Sequence, residues 1–342
     1  MIELPAARGD TTEALLAELR RPPHKLPATP LPDGPDPLAD EDLQLALYLC
    51  YELHYRGLPR VDEHWEWSPS LLALRQALEE RFEAALRAAV GPVGPAPAPE
   101  ELDVALRAID EADDAPSLSR YVERDATLDQ VLEFLVHRSA YQLKEADPHS
   151  WAIARLHGPP KAALVEIQAD EYGGGRPERI HAQLFADAMG ALGLDSRYGA
   201  YLDRLPAATL ATVNLMSLCG LHRRLRGAIV GHLALFEMTS SIPNRRYASG
   251  LRRLGVDDPA ATEFFDEHVA ADAVHEAIAA VDLAGGLARA EPELAPDILW
   301  GARALVVLEG RWARSLLDAW DGGRSSLRRS ATAGPLPLRS AP

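Results

Sequence analysis

Apolar residues in this chain recur at every third or fourth position, and no run of β-branched residues alternates with polar ones. That period belongs to the α-helix, whose successive side chains turn by about 100°. The stretch around Leu71, Leu72, Leu74, Leu78, Phe82 and Leu86 displays it plainly. Ser68 offers an N-cap, Pro69 suits the first turn, and the apolar stripe follows. The same criteria predict helices at 11–19, from Asp40 through Leu53, and at about 100–112, 117–146, 159–172, 177–193, 206–220, 222–240, 244–254, 258–283 and 294–320. Leu43, Leu45, Ala46, Leu47, Leu49, Cys50 and Leu53 make the second of these apolar nearly all round, which calls for burial on every side. Ala, Leu, Arg and Glu dominate throughout, so the fold class is all-α.

Three stretches break the pattern. Residues 22–37 carry Pro22, Pro23, Pro27, Pro30, Pro32, Pro35 and Pro37, a density that excludes regular structure and marks an extended arm. Residues 91–99 form a Pro/Ala/Gly linker, and from Asp321 onward the chain turns polar and glycine-bearing, as a flexible tail does. No repeat of fixed period and no long central linker divides the 342 residues, and 47% hydrophobic content suffices for one large core.

A formal charge of -16 and a pI of about 5.1 argue against nucleic acid or an anionic membrane as partner, since both demand a basic footprint. No apolar run reaches spanning length, because even 298–308 is interrupted by Arg303, and no signal-peptide pattern opens the chain. A cytoplasmic protein is expected. Cys50 and Cys219 stand far apart without CxxC spacing, which indicates buried free thiols and no disulfide or zinc knuckle.

Chemistry concentrates in a segment beginning Phe264-Phe265-Asp266-Glu267-His268. Offsets of four and seven return to within about 40° of the starting direction, so His268, Asp272 and His275 share one helix face. Phe264, Phe265, Val269, Val274 and Ile278 turn that helix into a core, where imidazoles and a carboxylate need partners and a metal is one such partner. Two other stretches offer further ligands. The triple glycine 173–175 breaks a helix and leaves Glu171, at its end, free to face His181 in the next; Glu178, three residues before His181, is the rival. Glu237 interrupts the apolar run from Ile229 to Met238, where it needs a cation or one of Arg223, Arg224 and Arg226. His232, on the same helix, points elsewhere and reads as a hydrogen-bonded core histidine. A mixed set of imidazoles and carboxylates suits iron or manganese better than structural zinc or calcium, and six ligands suffice for two ions with positions left for dioxygen.

With Glu171 and His181, the lone Glu237 and the His-x-x-x-Asp-x-x-His helix in view, the chain resembles the haem-oxygenase-like diiron oxidases and oxygenases over about residues 115–320. The helical part before it, around Tyr48, Tyr51 and His54, resembles the N-terminal extension of some bacterial members. The resemblance implies a haem-oxygenase-like helical bundle organised as a proline-rich arm (1–40), an N-terminal helical extension (41–114), the diiron domain (115–320) and a tail (321–342). It implies two iron ions per chain, O2 as co-substrate, and oxidation of a small amine- or carboxylate-bearing metabolite by N-oxygenation or carbon–carbon cleavage. The nine residues between Glu171 and His181 follow the longer spacing of N-oxygenating members, which also take a carboxylate from the preceding helix; Glu145 resembles it here. His137, Arg138, Tyr141, Lys144 and His149 form a polar face around Glu145 that reads as substrate contacts or, at least as readily, as a solvated or salt-bridged face. A thiaminase-like enzyme resting on Cys219, or a non-catalytic metal-binding protein, are the competing readings; a homodimer fits any of them.

Overall fold

The structure, a computed structural model, describes residues 4–95 and 97–329, apart from the side chains of residues 272–274. Helices account for all its regular structure, and no strand occurs among the described residues. In chain order they are α1 (Asp10–Leu19), α2 (Glu41–Glu52), α3 (Pro69–Val90), α4 (Leu102–Glu111), α5 (Leu118–Arg124), α6 (Leu128–Gln142), α7 (Asp147–Ser150), α8 (Gly158–Glu171), α9 (His181–Ala191), α10 (Ala207–Leu221), α11 (Arg226–Arg253), α12 (Ala260–Ala277), α13 (Gly286–Ala290) and α14 (Ala295–Asp321). A π-helical segment, Ile278–Gly285, joins α12 to α13.

Local chemistry explains where these helices depart from the sequence reading. The helix expected at 117–146 is two, because Thr127 and Gln130 form a capping box that starts α6 afresh: the Thr127 hydroxyl accepts from Gln130 N–H and the Gln130 side-chain Oε1 from Thr127 N–H. The break expected before 244 is absent. Pro243 sits inside α11, which forgoes one backbone bond and continues. Prolines at 177 and the 3-10 turn Pro177–Arg179 delay α9 until His181.

α11 runs through the middle of the molecule, against α5, α12 and α14. Its approach to α14 is close enough that a methyl group on Gly231 would collide with the carbonyl oxygen of Ile298, and one on Gly301 with that of Ala228. α9 lies on α12, α8 lies on the π-helical segment, and α2 packs on α10.

The arm is anchored. Leu15, Leu16, Leu19, Leu26 and Leu38 are buried, Asp42 accepts the N–H groups of Thr11 and Thr12 at 2.8 Å, and the fully buried Trp65 donates to the Arg21 carbonyl. Past Asp321 the chain is also held. Ser326 donates to Glu133 at 2.7 Å and accepts from His137, while Arg8 and Arg328 both ion-pair with Glu41 at 2.7 and 3.1 Å. No helix is long and apolar enough to cross a membrane among these residues.

Candidate metal centre

Four structural devices bring acids and imidazoles together in the core. α6 ends at Gln142, and the following turn carries Glu145 inward; it closes at Ala146, whose φ of 73° and ψ of -31° lie in a region non-glycine residues rarely adopt. Lys144, one residue earlier, points to the other side of the turn, into a cage of Tyr48, Tyr55 and Tyr198 with Glu52 Oε2 3.0 Å from its Nζ. Glu171 closes α8. Gly173 then takes φ 66°, and a Cβ there would stand 2.6 Å from the Arg179 carbonyl carbon and 2.7 Å from Ile180 N, so only glycine lets the chain fold back to begin α9 at His181. α11 supplies Glu237, and α12 supplies His268 and His275, two turns apart on one face.

Glu145, Glu171, His181 and His268 present ligand atoms all within 4.8 Å of one another, and Glu171, Glu237 and His275 form a second such group that shares Glu171 with the first. All six residues are buried, none more than 6% exposed. Asp272 lies between His268 and His275 on α12, but its side chain lies outside the described residues. Glu178 is exposed and does not enter the cluster. Of the arginines that could have neutralised Glu237, Arg224 pairs with Glu83 and Arg226 with Glu291, and Arg223 is exposed.

The imidazoles are oriented from outside the cluster. His268 donates Nδ1–H to the Phe264 carbonyl at 2.7 Å, leaving its Nε2 lone pair 3.6 Å from Glu145; His275 donates Nε2–H to Asp170 at 3.0 Å, leaving Nδ1 3.3 Å from Glu237. Holding the far nitrogen by a hydrogen bond is how metal-ligating histidines are fixed. His181 Nδ1 lies 2.9 Å from Glu171 Oε2 without hydrogen-bond alignment. Buried atoms Glu145 Oε2, Glu171 Oε2, His181 Nδ1 and His275 Nδ1 have no hydrogen-bond partner, a costly condition unless a cation satisfies them. The residues therefore fit a metal: oxygen and nitrogen lone pairs converge from five elements on two overlapping points. Burial pushes the Glu171 carboxyl up, but the charges of His181, His268 and His275 outweigh it and hold it at about 2. Burial lowers His275, and the adjoining Glu237 outweighs that, raising it to about 9.

Sequence reasoning left several contributors unassigned. Asp170 directs His275, yet nothing in its spacing marks it. Lys144, read with its neighbours as facing substrate or as part of a solvated or salt-bridged face, is 1% exposed and salt-bridged to Glu52, and His137, Tyr141 and His149 of that face are buried too. His149 Nε2 lies 3.1 Å from His232 Nδ1, so the histidine expected to be a core residue has a buried imidazole for its partner. Burial pushes the His149 imidazole down to about 4 and His232 further, so both are neutral. Cys219 is buried in α10 and its thiol is pushed up by that burial, the wrong direction for a nucleophile. A cavity of about 640 Å³ reaches the cluster at Glu145 and His268, with Phe134, Tyr247, Phe264 and Trp312 among its walls.

A search among curated proteins returns no match. Residues 132–310, just over half of the chain, match the sequence family described as iron-containing redox enzyme, and the match takes in every residue of the cluster. The all-α fold, the buried Glu/His groups that could bind metal and that match agree: the chain belongs to the iron-containing redox enzyme family.

Proposed function

We propose that this protein is a non-haem diiron oxidase or oxygenase that uses dioxygen to oxidise a small amine- or carboxylate-bearing metabolite. The observation that carries the reading is the pair of ligand groups sharing Glu171, an arrangement that would let the two sets hold two neighbouring ions. Glu145, His181 and His268 would hold one ion, Glu237 and His275 the other, with Asp272 on the same helix face available to either. Iron at such a site supplies one-electron and oxygen chemistry.

The chain's own residues do the rest. Phe264 and Asp170 keep His268 and His275 in the orientations whose other ring nitrogens lie beside Glu145 and Glu237. The aromatic walls of the large cavity stand near Glu145 and His268 and give an apolar body room to lie. Arg246 and Asp110, further along the same cavity, offer charges of both signs to a carboxylate or an ammonium group.

Iron per chain, counted after anaerobic reconstitution, tests the reading. Two ions are expected in the wild type, with at least one lost in His268→Ala and in Asp272→Ala while helix content stays near wild type. Glu171→Ala should lose iron and Glu178→Ala should not; full iron in His268→Ala and Asp272→Ala would remove the main support.

A further inference from the structure

The cavity of about 640 Å³ that reaches the cluster gathers most of the chain's phenylalanines. Five of the six line it, and Phe82 alone lies apart from it. Their rings follow one another along its wall: His268 meets Phe264 at 4.3 Å between centroids, Phe264 meets Phe265 at 5.2 Å, Phe265 meets Tyr247 at 5.8 Å, Tyr247 meets Phe134 at 4.4 Å and Phe134 meets Trp312 at 6.1 Å. A continuous band of rings thus leads from a residue of the cluster to Trp312. Aromatic faces are electron-rich and their edges electron-poor, so such a band favours another ring over an aliphatic body of the same size, and positive charge over negative. Arg138 shows the second preference, with its guanidinium 4.1 Å from the Trp312 ring centroid.

The charged groups of the cavity divide the same way. Arg107, Arg138 and Arg246 line it, and each already faces a carboxylate: Arg107 with Glu276 at 2.9 Å, Arg138 with Glu309 at 2.8 Å, Arg246 with Glu123 at 3.9 Å. Asp110 and Asp113 line it too and form no ion pair among the described residues; Asp113 accepts the Ala115 N–H at 3.0 Å. Both aspartates are exposed whereas Glu145 and His268 are buried, which puts the aspartates at the mouth and the cluster at the inner end. A carboxylate ligand would have to displace an internal partner from an arginine. An ammonium ion meets two carboxylates that no ion pair engages.

We propose that this cavity binds an arylalkyl ammonium ion, its ring against the aromatic band and its nitrogen toward Asp110 and Asp113. Resting on the iron reading above, this narrows the oxidised substrate from an amine or a carboxylate to an aromatic amine. The volume suits such a molecule, since pockets for small organic ligands hold about 300–1,000 Å³.

Calorimetric titration of the anaerobic, iron-reconstituted protein at pH 7 compares three probes: 2-phenylethylamine, 2-cyclohexylethylamine, which keeps the charge and loses the aromatic ring, and 3-phenylpropionate, which keeps the ring and reverses the charge. 2-Phenylethylamine is expected to bind most tightly, about threefold ahead of the cyclohexyl amine and about tenfold ahead of the acid. Asp110→Asn should weaken the amine about fivefold and spare the acid. Asp114→Asn, which removes an equal charge from an exposed residue outside the cavity, should leave both unchanged. Phe134→Leu should erase the preference for phenyl over cyclohexyl and keep its iron. Equal or tighter binding of 3-phenylpropionate or of the cyclohexyl amine in the wild type would overturn the inference, as would an equal loss in Asp110→Asn and Asp114→Asn. Two ions per chain with none of the three probes bound would overturn it and leave the iron reading standing. The expected order of binding in a chain that holds no iron would keep the site and remove the iron reading.

Discussion

Ala146 adopts a backbone conformation that costs of order 1–3 kcal/mol, and it does so between two side chains sent in opposite directions. Glu145 goes to the metal cluster; Lys144 goes to Glu52 and the tyrosine cage, where Tyr198 also donates to Glu52 at 2.7 Å. The ion pair holds the turn from behind. Glu52→Gln would leave the Lys144 ammonium buried and unmatched, with an expected loss of about 3 kcal/mol in urea unfolding and weaker iron binding through Glu145. A Glu52→Gln variant with unchanged iron affinity would separate the cage from the site. At this scale the sequence was readable where chemistry is carried by residue type: His268 and His275 by spacing, Glu237 by the apolar run around it. It was mute about Lys144 and His149. Whether a polar residue near Glu145 faces water or a cage depends on α2 and α11, far away in the chain.

Elements follow the same division. Phase was legible, since any helix that buries one face repeats its apolar residues at 3.6; the ends were legible only where a cap declared itself. A break is expected between 240 and 244, and tertiary packing of α11 between α12 and α14 carries the helix through it at Pro243, because burying a long apolar face outweighs one missing backbone bond. The triple glycine was legible as a break, but not which glycine is indispensable. Gly173→Ala should misplace Ile180 and His181 and reduce iron occupancy, for its Cβ meets backbone atoms. Gly174→Ala, at φ 60° with open space around it, should cost only about 1–2 kcal/mol of backbone strain and keep its iron. Equal iron in the two variants would deny Gly173 its part in setting the site.

Across the whole molecule, stability is tied to acid through a residue distant from the cluster's ligands. Thr209 on α10 donates to His137 Nδ1 at 2.6 Å, His137 donates from Nε2 to Ser326 at 3.0 Å, and burial pushes this imidazole down to about 3. Unfolded histidine titrates near 6.5, so between those values the unfolded chain binds the extra proton and folding stability falls as pH falls. The contribution is about 1.4 kcal/mol per pH unit below 6.5. His137→Leu should lose stability at pH 7 yet show a shallower decline toward pH 4, measured by urea unfolding at each pH; parallel declines in the two proteins would refute it.

The two arginines that meet at Glu41 come from opposite ends of the chain, Arg8 from the arm and Arg328 from beyond α14, with Arg328 N–H also bonded to the Arg204 carbonyl at 2.9 Å. Topologically the polypeptide is nearly a ring. A short peptide fusing the neighbourhood of Arg328 to that of Arg8, with new ends opened in the exposed turn at 112–114 between α4 and α5, should yield a circular permutant that keeps its helices and its iron.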